Sequence, residues 1–283
     1  MRFEAPTTID GAVALLAAED GLTRCLAGGT DVLVQLRSGM VEPDLIVDIK
    51  RIPGMDEIVE QDGGFRIGAG VPGAAMKEHK ALLASWPGVV EAANLVGSTQ
   101  VHNRATIAGN LCNGSPAADT VPAMIAADAV VRVHGPGGAR DIAVADIPVG
   151  PGKTSIAKGE MVGSIFLPGR PAASGDCYLR FIPRTEMDIA VVGAAVSLVM
   201  DGDKVAEARV ALGAVAPTCR LVPDAGAALV GRTVEEAAED LAAAARAACA
   251  PIDDKRGTIE FRTKVAGTLA VRAARIAADR AKG

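Results

Sequence analysis

The chain has 283 residues, of which 49% are apolar and 2% aromatic, and its net charge is −5. This length is sufficient for two domains of ordinary size. Scarce aromatic residues and scattered Lys and Arg argue against a nucleic-acid partner, which requires stacking rings and a basic stripe. The longest nearly unbroken apolar run, residues 189–200, is shorter than the ~20 residues of a membrane-spanning helix. The N-terminus lacks an apolar signal core, so we expect a soluble, cytoplasmic protein without a membrane span.

The five cysteines are widely spaced, odd in number and never form a C-x-x-C pair. Such spacing predicts neither a disulfide framework nor an iron–sulfur cluster in this chain. We expect reduced and mostly buried thiols. The three histidines, His79, His102 and His134, are too dispersed to indicate a metal site.

The N-terminal part of the chain alternates short helical and extended patterns. Thr7 and Thr8 can cap a helix on which Ile9, Val13 and Leu16 share one face. The following patterns predict, in chain order, a strand at 24–27, a helix at 32–37, a strand at 45–49, a hairpin of 57–59 with 65–67, helices at 74–83 and 89–95, and strands at 129–133, 140–144 and 160–167.

Two further segments divide the chain. Residues 99–122 are rich in Asn, Gly, Ser and Thr and show little periodicity, so we predict a long irregular segment; such segments are usually functional. Residues 168–175 contain many small and turn-forming residues, and we place a domain boundary there. Beyond this boundary the patterns predict a hairpin of 189–200 with 204–215, followed by helices at 233–249 and 259–282.

Two glycine patterns imitate phosphate-binding motifs, and we reject both. Residues 68–73 have the spacing of the dinucleotide fingerprint, but Pro72 removes a backbone N–H from the turn, and the preceding strand belongs to a hairpin. Residues 150–154 resemble the end of a P-loop, yet the first glycine of that motif is missing and a proline interrupts the amides. We interpret them as a tight turn and a surface loop.

Two other loops are stronger candidates for binding a phosphate. In residues 27–31, Gly28 and Gly29 directly follow a strand, so the backbone can approach a ligand closely. The segment after them can direct unpaired N–H groups at an anion. In residues 106–120, small residues, amides and hydroxyls are combined with a single charge, Asp119. Neutral dipoles of this kind can surround a diphosphate, and a lone carboxylate can accept hydrogen bonds from ribose or ring hydroxyls.

Six stretches follow one another in an order that is typical of one protein family. They are A-G-G-T-D-V-L at 27–33, T-I-A-G-N-L-C-N-G-S-P-A-A-D-T at 106–120, G-P-G-K-T at 150–154, G-E-M-V-x-x-I-x-L-P at 159–168, F-I-P-R-T-E-M-D-I-A at 181–190 and A-R-V-A-L-G-A-V-A-P-T at 208–218. Together they span nearly the whole chain. They resemble the medium, FAD-binding subunit of the xanthine dehydrogenase and carbon monoxide dehydrogenase group of molybdenum hydroxylases.

The resemblance implies an α+β fold. An FAD-binding domain over residues 1–170 is expected to consist of two α/β subdomains, about 1–54 and 55–170. A C-terminal domain over residues 176–283 is expected to contain an antiparallel sheet with helices. The branch of the family that carries an extra iron–sulfur cluster in this subunit has a cysteine-rich insertion, which this chain lacks.

The resemblance also implies a binding site. By position, residues 24–31 would hold the FAD pyrophosphate through backbone N–H groups, and residues 106–110 would contact the second phosphate and the ribityl chain. Asp119 would reach a polar group of the cofactor, Val162 the flavin or adenine, and Arg180 would stabilise negative charge on the reduced ring. The implied cofactor-binding residues are Arg24, Cys25, Leu26, Ala27, Gly28, Gly29, Thr30, Asp31, Thr106, Ile107, Ala108, Gly109, Asn110, Asp119, Val162 and Arg180.

For Ala108 and Gly29, the resemblance leads to specific structural expectations. Ala108 stands where the family commonly has Gly, so the backbone there must adopt a conformation that Ala tolerates. At Gly29 we expect a Val substitution to abolish FAD retention, because a branched side chain would occupy the space of the phosphate.

The implied function is electron transfer within a larger assembly, in which this chain needs no catalytic acid or base. A large molybdopterin subunit would hydroxylate the substrate, and a small subunit with [2Fe–2S] clusters would relay the electrons. FAD on this chain would pass them to NAD⁺, a quinone or another acceptor, in a complex expected to be a dimer of heterotrimers. Two alternatives remain: a self-sufficient flavin oxidoreductase of the same fold, and a nucleotide-binding module without redox chemistry.

Overall fold

The computed structural model describes residues 1–283. It combines helices with one parallel and two antiparallel sheets, and a short two-stranded ribbon. The expected α+β class is therefore confirmed. None of its helices has the length and apolar character that a membrane crossing demands.

The first sheet is parallel, with three strands in the order β1-β3-β2. Its elements are β1 (Arg2–Glu4), α1 (Ile9–Ala18), β2 (Thr23–Leu26), α2 (Val32–Arg37) and β3 (Leu45–Asp48). α1 begins where the sequence predicts, because the Thr8 Oγ1 accepts a hydrogen bond from the Gly11 N–H at 3.1 Å. The loop from β2 to α2 leaves the carboxyl end of a parallel strand, which is where open α/β sheets bind ligands.

The second sheet is antiparallel, with five strands in the order β4-β5-β10-β6-β7. Its strands are β4 (Ile58–Gln61), β5 (Gly64–Gly68), β6 (Val130–Gly135), β7 (Gly138–Ala143) and β10 (Met161–Leu167). The helices between β5 and β6 are α3 (Gly73–Glu78), α4 (Lys80–Ser85), α5 (Pro87–Ala93), α6 (Ile107–Cys112) and α7 (Thr120–Ala126). The ribbon strands β8 (Pro148–Gly150) and β9 (Lys153–Thr154) precede β10, and 3₁₀ turns lie at Thr99–Val101 and Val144–Asp146. β4 and β5 form the predicted hairpin, whose turn places Asp62 and Gly63 at φ 50° and 73°.

The third sheet is antiparallel and lies in the C-terminal part, with its strands in the order β11-β12-β13-β14. Its elements are β11 (Ser174–Phe181), β12 (Val192–Asp201), β13 (Lys204–Gly213), β14 (Arg220–Leu221), α8 (Pro223–Leu229), α9 (Val234–Ala247) and α10 (Ile259–Ala281). α9 starts with a capping box between Thr233 and Glu236, and β12 and β13 form the predicted hairpin.

Two cores hold these layers together. The first runs from α1 to β10, so both N-terminal sheets bury their apolar side chains in one continuous core. The second lies between the C-terminal sheet and α8, α9 and α10. Because the first core includes Tyr178 of β11, Ala195 of β12 and Ala211 of β13, the C-terminal sheet also packs directly against the N-terminal part.

Several features differ from the sequence predictions, and β1, the β8–β9 ribbon, β14 and α8 were not predicted at all. The single helix predicted at 74–83 is two helices, because the Nδ1 of His79 accepts a hydrogen bond from the Leu82 N–H and caps α4. The irregular segment predicted at 99–122 contains α6 and the start of α7. β11 was not predicted, and its first residue, Ser174, lies within the predicted linker.

Candidate functional site

A cleft of ≈ 660 Å³ lies between the first two sheets. Its walls come from the loop after β2, from α2, from the loop before α6 and α6 itself, and from residues 152–162. All lining residues lie before residue 163, so the C-terminal sheet contributes none of them. The lining contains two cations, Arg24 and Lys158, and two acids, Asp31 and Glu160.

The two loops proposed from the sequence meet backbone to backbone at this cleft. A Cβ built on Gly28 would lie 1.6 Å from the carbonyl oxygen of Arg104, just before the second loop. No side chain fits at Gly28, so the close approach of the loops requires glycine. Gly28 and Gly109 thus line the same cleft.

The structure gives two further reasons for a glycine at position 29. Its φ of +80° lies in the left-handed region, which glycine adopts without strain. A Cβ there would meet the Leu26 and Leu33 side chains at 3.0 and 3.1 Å, and neither residue lines the cleft. A side chain at Gly29 would therefore strain the backbone and crowd Leu26 and Leu33, and the expected loss of FAD retention stays a prediction.

The second loop leads into α6, whose first turn is fixed by Thr106. The Thr106 Oγ1 accepts a hydrogen bond from the Gly109 N–H at 2.9 Å. Ala108 lies inside this helix and has no positive φ, so its replacement of the family's Gly costs no backbone strain.

The Asn110 side chain has a defined orientation at the cleft. Its Oδ1 accepts hydrogen bonds from the Thr120 N–H at 3.1 Å and from the Thr120 Oγ1 at 2.7 Å. Because a backbone N–H can only donate, the group facing Thr120 must be the oxygen of the amide. The Nδ2 group makes no hydrogen bond within the chain and remains available as a donor.

A second chain of side-chain hydrogen bonds joins α2 to the end of α6. The Gln35 Nε2 donates to the Asn113 Oδ1 at 2.9 Å, and the Asn113 Nδ2 donates to the Asp31 Oδ1 at 3.2 Å. All three residues line the cleft. Burial raises the pKa of Asp31 above its ordinary value.

The wall opposite these loops is fixed by Glu160. Its carboxylate accepts hydrogen bonds from the Arg140 Nε and Nη2 at 2.9 and 2.8 Å and from the Ala157 N–H at 2.8 Å. The arginine holds the pKa of Glu160 below its ordinary value. In the neighbouring ribbon, the Gly152 N–H donates to the Gly114 carbonyl at 2.9 Å. The loop that imitates a P-loop thus contributes Gly152 to the cleft wall, which sequence reasoning missed.

Most of the expected site residues are brought together here. Those that line the cleft are Arg24, Cys25, Ala27, Gly28, Gly29, Thr30, Asp31, Thr106, Ala108, Gly109, Asn110 and Val162. Leu26 and Ile107 do not line it, and Ile107 is part of the first core. Among the rejected motifs, a Cβ on Gly68 or Gly70 would meet the backbone of Met55, which fits a tight turn.

Asp119 and Arg180 face each other at the junction with the C-terminal sheet. The Asp119 Oδ1 accepts a hydrogen bond from the Tyr178 hydroxyl at 3.0 Å, and its Oδ2 accepts one from the Arg180 Nη1 at 2.8 Å. The carboxyl is buried, and burial raises the pKa of Asp119 to about 6 against the opposing effects of Arg180 and Tyr178. Neither Asp119 nor Arg180 lines the cleft.

The cysteines divide between the interior and the cleft. Cys177 and Cys219 are buried, as expected, and Cys249 is half-buried. Cys25 and Cys112 line the cleft and are exposed within it, contrary to the expectation of burial.

Family models match both parts of the chain. Residues 1–170 match the FAD binding domain in molybdopterin dehydrogenase, and residues 178–277 match the CO dehydrogenase flavoprotein C-terminal domain.

Individual relatives cover the chain at moderate identity. The carbon monoxide dehydrogenase medium chain of Afipia carboxidovorans is 35% identical over 281 residues, covering 99% of this chain and 97% of the relative. The putative xanthine dehydrogenase FAD-binding subunit of Escherichia coli (strain K12) is 32% identical over 218 residues, covering 76% of this chain and 74% of the relative.

Solved structures agree with the same arrangement. A chain of the reconstituted CO dehydrogenase from Oligotropha carboxidovorans superposes with a TM-score of 0.95 at 33% identity, over 99% of this chain and 98% of that chain. A chain of quinoline 2-oxidoreductase from Pseudomonas putida superposes with a TM-score of 0.91 at 26% identity, over 100% of this chain and 98% of that one.

Proposed function

Because the chain belongs to the family of FAD-binding medium subunits of molybdenum hydroxylases, we propose that it binds one FAD non-covalently in the cleft and serves as the electron-transferring subunit of a larger oxidoreductase. Its partners are a large molybdopterin subunit and a small [2Fe–2S] subunit, in a dimer of heterotrimers. Electrons come from the [2Fe–2S] clusters of the small subunit and pass to NAD⁺, a quinone or another acceptor.

The observation that carries this proposal is the backbone contact between two separate loops at one cleft wall. Gly28 lies against the backbone of Arg104, so the loop of residues 27–31 and the segment that leads into α6 are held together at the wall of one cleft. The cleft volume of ≈ 660 Å³ lies within the about 300–1,000 Å³ of typical ligand pockets. A cleft lined by several glycines and by few charged residues fits an extended dinucleotide such as FAD.

The residues of this chain bind and orient the cofactor, while FAD supplies the redox chemistry when it is bound. Backbone N–H groups of residues 27–31 and the Asn110 Nδ2 donate to the diphosphate, and Arg24 and Lys158 supply positive charge nearby. The apolar side chain of Val162 would pack against the cofactor and exclude water there. Asp119 and Arg180 act indirectly: they fix the start of α7, and Thr120 in turn orients Asn110.

Cofactor binding is tested on the full-length chain. We expect a yellow protein whose absorbance near ~450 nm bleaches on reduction and which releases about one FAD per chain on denaturation. A colourless apo-protein should regain this absorbance on titration with FAD. Tight binding of ADP or NAD⁺ without any flavin would instead support a non-redox nucleotide-binding module.

The role in a complex requires a separate experiment. The native protein, isolated with its partners and analysed by mass spectrometry and metal analysis, should contain molybdenum and iron in addition to FAD. Re-oxidation of the reduced complex by NAD⁺ or by a quinone identifies the acceptor. Turnover of a substrate by the isolated, FAD-loaded chain would contradict the electron-transfer role and favour a self-sufficient oxidoreductase.

A further inference from the structure

The two acidic side chains of the cleft, Asp31 and Glu160, differ in how many of their carboxylate oxygens are hydrogen-bonded within the chain. Both oxygens of Glu160 are engaged by Arg140, and one also by the Ala157 N–H. Asp31 makes one side-chain hydrogen bond within the chain, from the Asn113 Nδ2 to its Oδ1, and forms no ion pair. Asp31 is therefore the one cleft carboxylate that retains a free oxygen.

Asp31 is also held in a fixed orientation. The Gln35 Nε2 donates to the Asn113 Oδ1, which turns the Asn113 Nδ2 towards Asp31. Gln35 lies one helical turn beyond Asp31, and its N–H donates to the Asp31 carbonyl at 3.0 Å. The chain of contacts thus starts and ends on α2 and passes through Asn113, which caps the C-terminal end of α6, so it joins the two elements that follow the loops.

The chemistry of this free oxygen restricts what can lie beside it. An ionised carboxylate accepts hydrogen bonds but cannot donate one, and it repels a phosphate. A hydroxyl group satisfies it best, because a hydrogen bond from a hydroxyl to a carboxylate is charge-assisted and short. In a dinucleotide, hydroxyls are provided by the adenosine ribose and by the ribityl chain.

We propose that Asp31, oriented by Asn113 and Gln35, accepts a hydrogen bond from a sugar hydroxyl of the bound dinucleotide and makes the cleft selective for a hydroxylated ligand. This inference rests on the proposed binding of FAD in the cleft. It assigns opposite polarities to two cleft side chains: Asn110 offers a donor to the diphosphate, and Asp31 offers an acceptor to a hydroxyl. Asn113 and Gln35 are positioning residues in this arrangement.

The first arm of the test uses the substitution Asp31→Asn in the full-length chain. The exchange keeps the shape of the side chain but removes its charge. We expect the Kd for FAD to rise about 10- to 100-fold, the loss of one charge-assisted hydrogen bond, while the melting temperature of the apo-protein stays near that of the wild type. Asp62→Asn, at the exposed β4–β5 turn, makes the same change of charge away from the cleft and should leave the Kd unchanged.

The second arm uses wild-type protein with altered ligands, so it does not depend on the folding of a variant. FAD lacking the ribityl 2′-hydroxyl is compared with FAD, and 2′-deoxy-ADP and 3′-deoxy-ADP are compared with ADP. The analogue that lacks the recognised hydroxyl should lose the same factor in affinity, and Asp31→Asn should cause no further loss with that analogue. This coupling identifies which sugar Asp31 contacts.

The outcomes separate the two proposals. If wild-type protein binds no FAD, the proposed function fails, whatever Asp31 does. If wild-type protein binds FAD but Asp31→Asn binds it equally well, and no deoxy-analogue is discriminated, the role of Asp31 is refuted while the proposed function stands.

Discussion

The sharpest test of the cleft assignment is the substitution Asn110→Asp. The two side chains have the same shape, so one carboxylate oxygen can still accept both hydrogen bonds from Thr120. The other oxygen replaces the Nδ2 donor that we place against the diphosphate. The substitution therefore preserves the contacts within the protein and inverts the polarity presented to the ligand.

The expected loss of affinity has two components. A charge-assisted hydrogen bond contributes about 1.5–3 kcal/mol. Two unit charges about 4 Å apart repel each other by about 4 kcal/mol at an effective dielectric constant of 20. Allowing for partial screening of the repulsion by solvent, a total of about 4 kcal/mol corresponds to a roughly 1,000-fold increase in the Kd for FAD.

The assay is titration of the apo-protein with FAD, followed by the change in flavin fluorescence, alongside the melting temperature of the apo-protein. The Kd should rise steeply, the melting temperature should change little, and part of the loss should be recovered at high salt, because salt screens the repulsion. Wild-type affinity in a folded Asn110→Asp protein would refute the placement of the diphosphate. A matched pair, Thr120→Val and Thr120→Ser, tests the orientation: Val removes the hydroxyl donor to the Asn110 Oδ1, and Ser retains it.

Two further substitutions test the contacts that shape and support the cleft. Gly28→Ala should lower the free energy of unfolding by about 1–3 kcal/mol and weaken FAD binding, because its Cβ would overlap the Arg104 carbonyl; Gly137→Ala, whose Cβ would meet nothing within 4 Å, is the control. Burial raises the pKa of Asp119 from 3.8 to about 6, so the stability gained by its protonation is present below about pH 4 and lost as the pH rises through 6. Arg180→Met, which leaves the ionised carboxylate unpaired, should therefore destabilise by up to about 3–5 kcal/mol at pH 8 and by less at pH 5 in denaturant titrations. In the Asp119→Asn protein, the free energy of unfolding should lose this dependence on pH. If Arg180→Met lowers the free energy of unfolding equally at pH 8 and pH 5, the ion-pair assignment is contradicted.

Local sequence patterns were sufficient to predict those helices and strands whose capping residues and apolar spacing are contained in the element itself. α1 has a threonine cap followed by one apolar face, and the β12–β13 hairpin has Asp201 and Gly202 between two apolar strands. α2 was predicted with its observed bounds. In these cases the residues that define the element are neighbours in sequence, so no knowledge of tertiary contacts was needed.

Elements buried on all sides were not predictable in the same way. All seven residues of α7, Thr120–Ala126, are buried, so the helix has no polar face and no amphipathic period. The prediction of β11 failed for the opposite reason. Asp176, Tyr178 and Arg180 alternate along this strand and their side chains are buried, so polar residues occupy positions where a strand pattern requires apolar ones. Their partners lie far away in sequence, so the pattern looks like a linker.

The same distinction applies to the site. Gly28 lies in a loop and Asn110 in the first turns of α6, and both belong to stretches whose composition indicates ligand binding, so sequence reasoning identified both. Gln35 and Asn113 are ordinary polar residues that acquire a role only through their mutual hydrogen bond, although they are 78 positions apart in the sequence. Glu160, at the opposite wall, depends on a partner from another strand of the second sheet. No local signal marks such residues.

The junction between the two parts of the chain connects stability to cofactor binding. Tyr178 and Arg180 of β11 hold the carboxylate of Asp119, and the next residue, Thr120, holds the amide of Asn110 at the cleft. A short series of hydrogen bonds therefore connects the C-terminal sheet to the cleft, although none of the residues of that sheet lines the cleft. Because a binding site must be held to within a fraction of an ångström to keep its affinity, a loosened junction should weaken FAD binding even when every cleft residue is intact. We therefore predict that the C-terminal sheet contributes to the affinity for FAD through Asp119 and Thr120.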